Sequence, residues 1–134
     1  MTHPNSERLQ AFLDAYEAKD RERVREAFAD DAVWHVGGTH RLSGDYRGRD
    51  AILDYFDRTA EETGQSLELM PIELMADNRH GAAFLRVTAA RGDKRLDVTM
   101  AEAFQFDEDG RITEFWAHAT DQAAVDAFWG SEPS

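Results

Sequence analysis

The clearest fold signal in the chain lies in residues 67–119, which read LELMPIELMADNRHGAAFLRVTAARGDKRLDVTMAEAFQFDEDGRITEFWAHA. Apolar and polar residues alternate through four segments of this stretch, a period of two that is typical of half-buried β-strands. The four segments are 67–75, 82–90, 96–106 and 112–119. Tight turns at Gly92-Asp93 and at residues 107–110 separate the last three. The pattern predicts an antiparallel meander of four strands.

The residues at the start of the chain follow a helical period instead. Leu9, Phe12 and Tyr16 recur at helical spacing, and Ser6 is placed to cap the helix they form. Asp20 is placed to cap a short second helix. The inner face of that second helix is predicted to hold Val24, Ala27 and Phe28.

The segment between these helices and the meander has mixed character. Residues 32–36 are apolar apart from His35 and end at Gly37-Gly38, which predicts a strand. Residues 43–48 contain two glycines and are predicted to form a loop. A third helix follows and ends by Gly64, and a short helix from Asp121 closes the pattern.

Helices followed by consecutive strands predict an α+β fold, with the helices on one face of the sheet. A length of 134 residues fits one domain spanning 1–134. A curved, cone-shaped sheet closed by the three helices of the N-terminal half leaves a cavity between the two layers. Such a cavity is the usual place for a small ligand.

Composition excludes several function classes. The chain has no cysteine, which rules out thiol catalysis and cysteine-bound zinc, and its five histidines show no metal-ligand spacing, so we expect neither a metal nor a cofactor. A net charge of −12 disfavours binding to nucleic acid and to anionic membrane surfaces. The first residues, 1–6, lack the apolar core of a signal peptide, so we expect a cytoplasmic location.

Three motifs, in order along the chain, resemble the nuclear transport factor 2-like superfamily, also called cystatin-like. Within it they resemble the group of SnoaL-like polyketide cyclases and ketosteroid isomerases. The motifs are FADDAVW at 28–34, GDYRGRDAI at 44–52 and GRITEFW at 110–116. The resemblance implies a cone of curved, mixed or antiparallel sheet packed against three helices, and a homodimer formed through the outer face of the sheet. It leaves the activity open, because this fold carries many functions.

The ketosteroid isomerases place three functional groups that can be compared with this chain. Val36 stands where those enzymes have the general base, and Phe12 stands where they have a hydrogen-bonding tyrosine. Glu102 matches their protonated acid. One of the three groups is therefore retained.

Glu102 is the first catalytic candidate. It lies among Met100, Phe104 and Phe106 on one predicted strand face, where burial would raise the affinity of its carboxyl for a proton. The structural alternative is a carboxylate paired with Arg86 of a neighbouring strand.

His35 and Asp121 are the other two catalytic candidates. An inward His35 would form an acid–base pair with Glu102, but alternation with Trp34 and Val36 points it to the opposite face unless a bulge reverses the register. Asp121 matches the acid–base aspartate of related cyclases, and it is equally a good helix cap.

The remaining candidates are aromatic or polar residues that would line a hydrophobic cavity. They are Trp34, Tyr46, Tyr55, Phe56, Met100, Phe104, Trp116 and His118. The small residues Ala117 and Ala119 on the other face of the last strand argue against His118.

Two functions stay open at this point. One is a cofactor-independent acid–base enzyme of the isomerase, cyclase or hydrolase type, acting on a small hydrophobic molecule. The other is a non-catalytic module for ligand binding or dimerisation. An inward His35 near Glu102 favours the enzyme, and an outward His35 favours the binding module.

Overall fold

The computed structural model describes residues 3–131, so the two ends of the predicted domain, 1–2 and 132–134, lie outside the described residues. The helices are α1 (Pro4–Glu17), α2 (Arg21–Glu26), α3 (Arg49–Glu62) and α4 (Gln122–Trp129). The strands are β1 (Phe28–Val36), β2 (Gly44–Arg47), β3 (Glu68–Ala76), β4 (His80–Arg91), β5 (Lys94–Phe106) and β6 (Ile112–Ala119).

The strands form one curved, open, six-stranded sheet in the order β2-β1-β6-β5-β4-β3. The meander β3 to β6 is antiparallel throughout, as predicted, and β1 joins it by pairing parallel with β6. Helix α1 packs across β3, α3 across β1 and α4 across β5. The predicted α+β fold is thereby confirmed.

Two predictions about the first helices were wrong. His3, not Ser6, caps α1: the Asn5 amide donates to His3 Nδ1 at 3.0 Å, and Pro4 opens the helix because its fixed φ suits the first turn. Phe28 does not belong to α2. It begins β1 opposite Ile112, whose amide donates to the Ala27 carbonyl at 2.8 Å.

The predicted loop at 43–48 contains a strand. β2 pairs antiparallel with β1, from Val33 opposite Arg47 to Val36 opposite Gly44. The hydrogen bonds between its backbone and that of β1 stabilise an extended conformation, although the two glycines of this segment favour a loop. The extra strand sets Asp45 directly opposite His35.

The concave face of the sheet and the inner faces of the helices form the core. Four aromatic rings meet at its centre, with ring centroids 4.9 to 6.5 Å apart. They belong to Phe12, Phe28, Trp34 and Phe56. Phe12, Trp34 and Phe56 of this cluster also border a cavity in the core. Within residues 3–131, no helix is both long and apolar enough to cross a bilayer.

Candidate functional site

A cavity of about 100 Å³ lies between the concave sheet face and the helices. Its walls are mainly apolar and come from α1, α3, α4 and the strands. Apolar lining residues include Trp34, Phe56, Leu96, Met100, Phe115 and Val125. Trp34 stacks flat on Phe115 with centroids 3.4 Å apart, so the floor of the cavity is a rigid aromatic surface.

Glu102 projects into this cavity from the middle of β5. Its cross-strand neighbours are Ala83 on β4 and Ala117 on β6, whose small side chains leave room beside the carboxyl. Glu102 is 8% exposed. Among the described residues its carboxyl has no hydrogen-bond partner, and burial alone raises its pKa to about 8.

Arg86 does not neutralise this carboxyl. It lies on the outer face of the sheet, where its guanidinium donates two hydrogen bonds to Asp97, at 2.6 and 2.9 Å. The predicted structural alternative for Glu102 is therefore wrong, because strand alternation places Arg86 and Glu102 on opposite faces.

The charge of Glu102 contributes to the raised pKa values of two nearby tyrosines. Burial raises the pKa of Tyr16 to about 12, and the Glu102 charge adds to this while a hydrogen bond with Thr59 opposes it. Burial also raises the pKa of Tyr55 far above its ordinary value, with smaller contributions from Tyr16, Tyr46 and Glu102. Both phenols line the cavity and stay protonated, so both can donate hydrogen bonds to a ligand.

His40 is a cavity residue that was not predicted. It is 7% exposed, and burial lowers the pKa of its imidazole, so the ring is neutral near pH 7. The Leu42 amide donates to His40 Nδ1 at 3.1 Å, which places the single proton of the neutral ring on Nε2. His40 therefore offers the cavity an N–H donor.

The loop that carries His40 is fastened to α4. Asp126 accepts hydrogen bonds from both the amide and the hydroxyl of Thr39, each at 3.1 Å. The Arg41 guanidinium donates to the Trp129 carbonyl at 3.0 Å, and Ser43 Oγ accepts from the His40 amide at 3.1 Å. The orientation of His40 is thus set by neighbouring structure before any ligand arrives.

His35 does not meet Glu102. β1 borders the cavity at this position, but the imidazole turns to the outer face. There Nδ1 lies 2.6 Å from Asp45 and Nε2 lies 2.6 Å from Glu114, while the ring stacks on Trp116. Burial lowers the pKa of His35, but the hydrogen bonds with Glu114 and Asp45 outweigh it and leave that pKa raised.

Asp121 serves as the cap of α4. Its carboxylate accepts a hydrogen bond from the Ala124 amide at 3.1 Å, and its side chain is outside the cavity lining. His118 and Trp116 lie on the outer face of β6, because the Phe115/Ala117 side of that strand faces inward. These three residues are therefore not brought to the cavity.

The other predicted ligand-binding residues divide into two groups. Trp34, Tyr55, Phe56 and Met100 line the cavity. Phe104 is fully packed in the core, and Tyr46 packs on Tyr55 while donating its hydroxyl hydrogen to the Leu42 carbonyl at 2.6 Å. In the part of the chain that the structure describes, no group of three or more acidic or histidine side chains is arranged to hold a metal ion.

Sequence periodicity could not find His40, because loop residues have no repeating pattern. Tyr16 was detectable only as part of the apolar face of α1. A signal for its role is that a phenol occupies an inward position where leucine would fill a core equally well.

The chain is similar to a known domain family and to a mycobacterial protein. The model of the SnoaL-like domain family matches residues 9–115. An uncharacterized protein of Mycobacterium tuberculosis, Rv0034, is 30% identical over 123 residues, covering 86% of this chain and 88% of that protein.

Two solved structures resemble the whole fold. Bal32a, from a soil-derived mobile gene cassette, is 34% identical with a TM-score of 0.90, and the match covers 94% of this chain and 96% of that one. An NTF2-like protein from Burkholderia xenovorans is 18% identical with a TM-score of 0.81, covering 97% and 98%. The predicted nuclear transport factor 2-like fold is confirmed by these similarities.

Proposed function

The chain belongs to the SnoaL-like domain family, and we propose that it is a cofactor-independent acid–base enzyme acting on a small, mostly apolar molecule. The observation that carries the proposal is the Glu102 carboxyl, which lies in an apolar cavity without a neutralising partner among the described residues. A carboxyl in that setting exchanges its proton near neutral pH.

Glu102 can both take and return a proton. With a pKa of about 8 the carboxyl is mostly protonated at pH 7, and its ionised fraction is a stronger base than an ordinary glutamate. A proton that leaves a carbon next to a carbonyl would move to the carboxylate and return to a different carbon. Isomerisation through an enolate needs no more than this. In a cyclisation the enolate carbon would instead form a bond to a second carbonyl carbon of the same molecule, and the carboxyl would return its proton to the alkoxide oxygen that results.

The donors around the cavity suit the oxygen of such an enolate. Tyr16 and Tyr55 keep their phenolic protons, and His40 offers Nε2–H. Fixed donors that face a developing negative charge lower the barrier for proton removal. We assign no proton transfer to His35 or Asp121, whose carboxylate and amide partners lie outside the cavity.

Non-catalytic binding of a similar molecule is the second candidate. The outward position of His35 favours it, because the expected His–Glu pair is not formed. The enzyme is favoured by the polar residues that line the cavity together with Glu102, which a purely structural cavity does not need. These residues are Tyr16, Tyr55 and His40.

Hydrogen–deuterium exchange tests the proposal without a known substrate. Small cyclic ketones and enones are incubated with the protein in D₂O, and exchange at the α-carbon is followed by NMR. We expect exchange above the buffer rate with the wild type and with Glu114→Gln, which alters a carboxylate of the outer face. Equal exchange by Glu102→Gln would remove Glu102 from the mechanism, whereas wild-type exchange at the buffer rate would leave binding as the function.

We also propose that a second copy of the chain covers the outer face of the sheet. Ile72, Met75 and Phe84 are large apolar residues of β3 and β4 with 62%, 68% and 49% exposure. Apolar side chains of this size are uncommon on a surface that faces only water. The expected partners are therefore a small hydrophobic molecule and a second copy of the chain.

A further inference from the structure

A second, larger space lies against the outside of the cavity wall. This groove has a volume of about 700 Å³ and runs between α1, α2, α3 and the start of β3. Its floor is apolar and includes Val24, Leu53, Ala60 and Met70. The groove and the cavity share four lining residues, namely Tyr16, Phe56, Leu67 and Leu69.

The shared residues mean that the wall between the two spaces is one side chain thick. Leu67 directly precedes β3 and Leu69 lies at its start, and β3 is an edge strand of the sheet. Both are only partly buried. A change of rotamer at Leu67 and Leu69 would therefore open a passage beside Tyr16 between the two spaces.

The cavity alone is too small for an ordinary ligand, so a connection to a neighbouring space bears on what it can bind. A volume of about 100 Å³ is well below the roughly 300–1,000 Å³ of ordinary ligand pockets. The cavity therefore holds only the reacting end of a typical substrate. The adjoining groove brings the available space into the ordinary range.

The rim of the groove carries a net negative charge. Its exposed residues are Glu17, Lys19, Arg21, Asp57, Glu61, Gln65 and Glu68. Arg21 and Asp57 pair with each other at 3.1 Å, which leaves one lysine among three carboxylates. The groove thus attracts cationic groups and repels anionic ones, as does the chain as a whole with its charge of −12.

We propose that the groove is the outer half of the ligand site and that the ligand is an elongated molecule with an uncharged or cationic tail. Its small carbonyl end lies beside Glu102, and its tail passes Tyr16 and Leu69 into the groove. This inference rests on the proposed function for the position of the carbonyl end, and it assigns the substrate class.

Methyl ketones of increasing length, from 2-butanone to 2-decanone, test the inference by calorimetric titration. With the wild type we expect affinity to rise about fourfold for each added methylene through the longest probe. Ala60→Trp fills the groove without touching the cavity, so the rise should stop at the probe that fills the cavity. Ala123→Trp, an exposed alanine of α4 outside both spaces, should behave as the wild type. Glu61→Trp, at the exposed rim, serves as a second blocking variant should Ala60→Trp be unstable.

A wild-type affinity that stops rising at short probes, an identical rise in the blocked variants, or no binding of the long probes would overturn the inference. The charge assignment is tested by 10-aminodecan-2-one against 9-oxodecanoic acid, with the amine expected to bind at least about tenfold more tightly. Equal or reversed affinities would overturn the ligand class. These measurements record binding and not turnover. The proposed role of the groove can therefore be wrong while Glu102 is catalytic, and the groove can bind the tail even if Glu102 is not catalytic.

Discussion

Glu102 and His35 lie on opposite faces of the same sheet and reach raised pKa values for opposite reasons. His35 pairs in register with Trp116, which pairs with Ala103, the residue next to Glu102. On the inner face, burial without a partner favours the neutral carboxyl. On the outer face, two carboxylates favour the charged imidazolium despite partial burial.

A perturbed pKa therefore has a functional meaning only together with its cause. The His35 shift is produced by satisfied hydrogen bonds, which stabilise one protonation state and leave the group little to offer a ligand. The pKa of Glu102 is raised because burial removes water from its carboxyl. A ligand that places a polar atom beside the carboxyl would reduce this shift. Two groups shifted in the same direction thus differ in their capacity for chemistry.

The pH dependence of stability is the largest expected effect. The unfolded carboxyl of Glu102 loses its proton above pH 4.5, whereas the folded one keeps it to about pH 8. In that window the folded state binds more protons, so its stability falls as pH rises, by on the order of 5 kcal/mol. Glu102→Gln should remove this fall in urea unfolding series from pH 4 to 9. Parallel curves for the two proteins would show that Glu102 is solvated or paired.

Loss of proton transfer in the same variant is the second effect. Glu102→Gln should lower kcat/KM by about a hundredfold to ten-thousandfold, which corresponds to about 3 to 5 kcal/mol. Because the ionised carboxylate is the base, wild-type kcat/KM should rise with pH and level off above about pH 8. Glu114→Gln, on the outer face, should keep both the rate and the inflection. An inflection that persists in Glu102→Gln would assign it to another group.

The sequence predicted the inner face better than the outer one. Alternation along 96–106 identified Glu102 among apolar residues without any knowledge of pairing, because residues two apart share a face. The partners of His35 depend on register with two other strands. Asp45 lies in β2, which the glycines of 43–48 had marked as a loop, and Glu114 pairs through a parallel contact that no local pattern records. His40 escaped prediction for the same reason, since its place in the cavity is set by contacts between its loop and α4.

Dimerisation through the outer face should be the next largest effect. Phe84→Glu places a charge in the exposed apolar patch and should weaken self-association by about ten- to a hundredfold, or about 1.4 to 2.7 kcal/mol. Two copies with a charge of −12 repel each other, so added salt should strengthen the wild-type dimer. Sedimentation equilibrium measures both. A wild type that is monomeric at micromolar concentration in high salt would contradict the dimer.

The smallest expected effect belongs to His35. Its raised pKa means that the imidazolium stabilises the fold fully below the ordinary pKa of about 6.5, and that this contribution is lost as pH rises through the higher folded value. Because the cluster is partly exposed, His35→Gln should cost no more than about 1 kcal/mol at pH 5.5, and less at pH 9. Asp45→Asn removes one negative charge beside the imidazole and should lower the pKa of His35 in an NMR titration. The double replacement Asp45→Asn with Glu114→Gln should lower that pKa further. A pKa of His35 at or below 6.5 in the wild type would mean that burial outweighs its two carboxylates, and the outer face would then resemble the inner one.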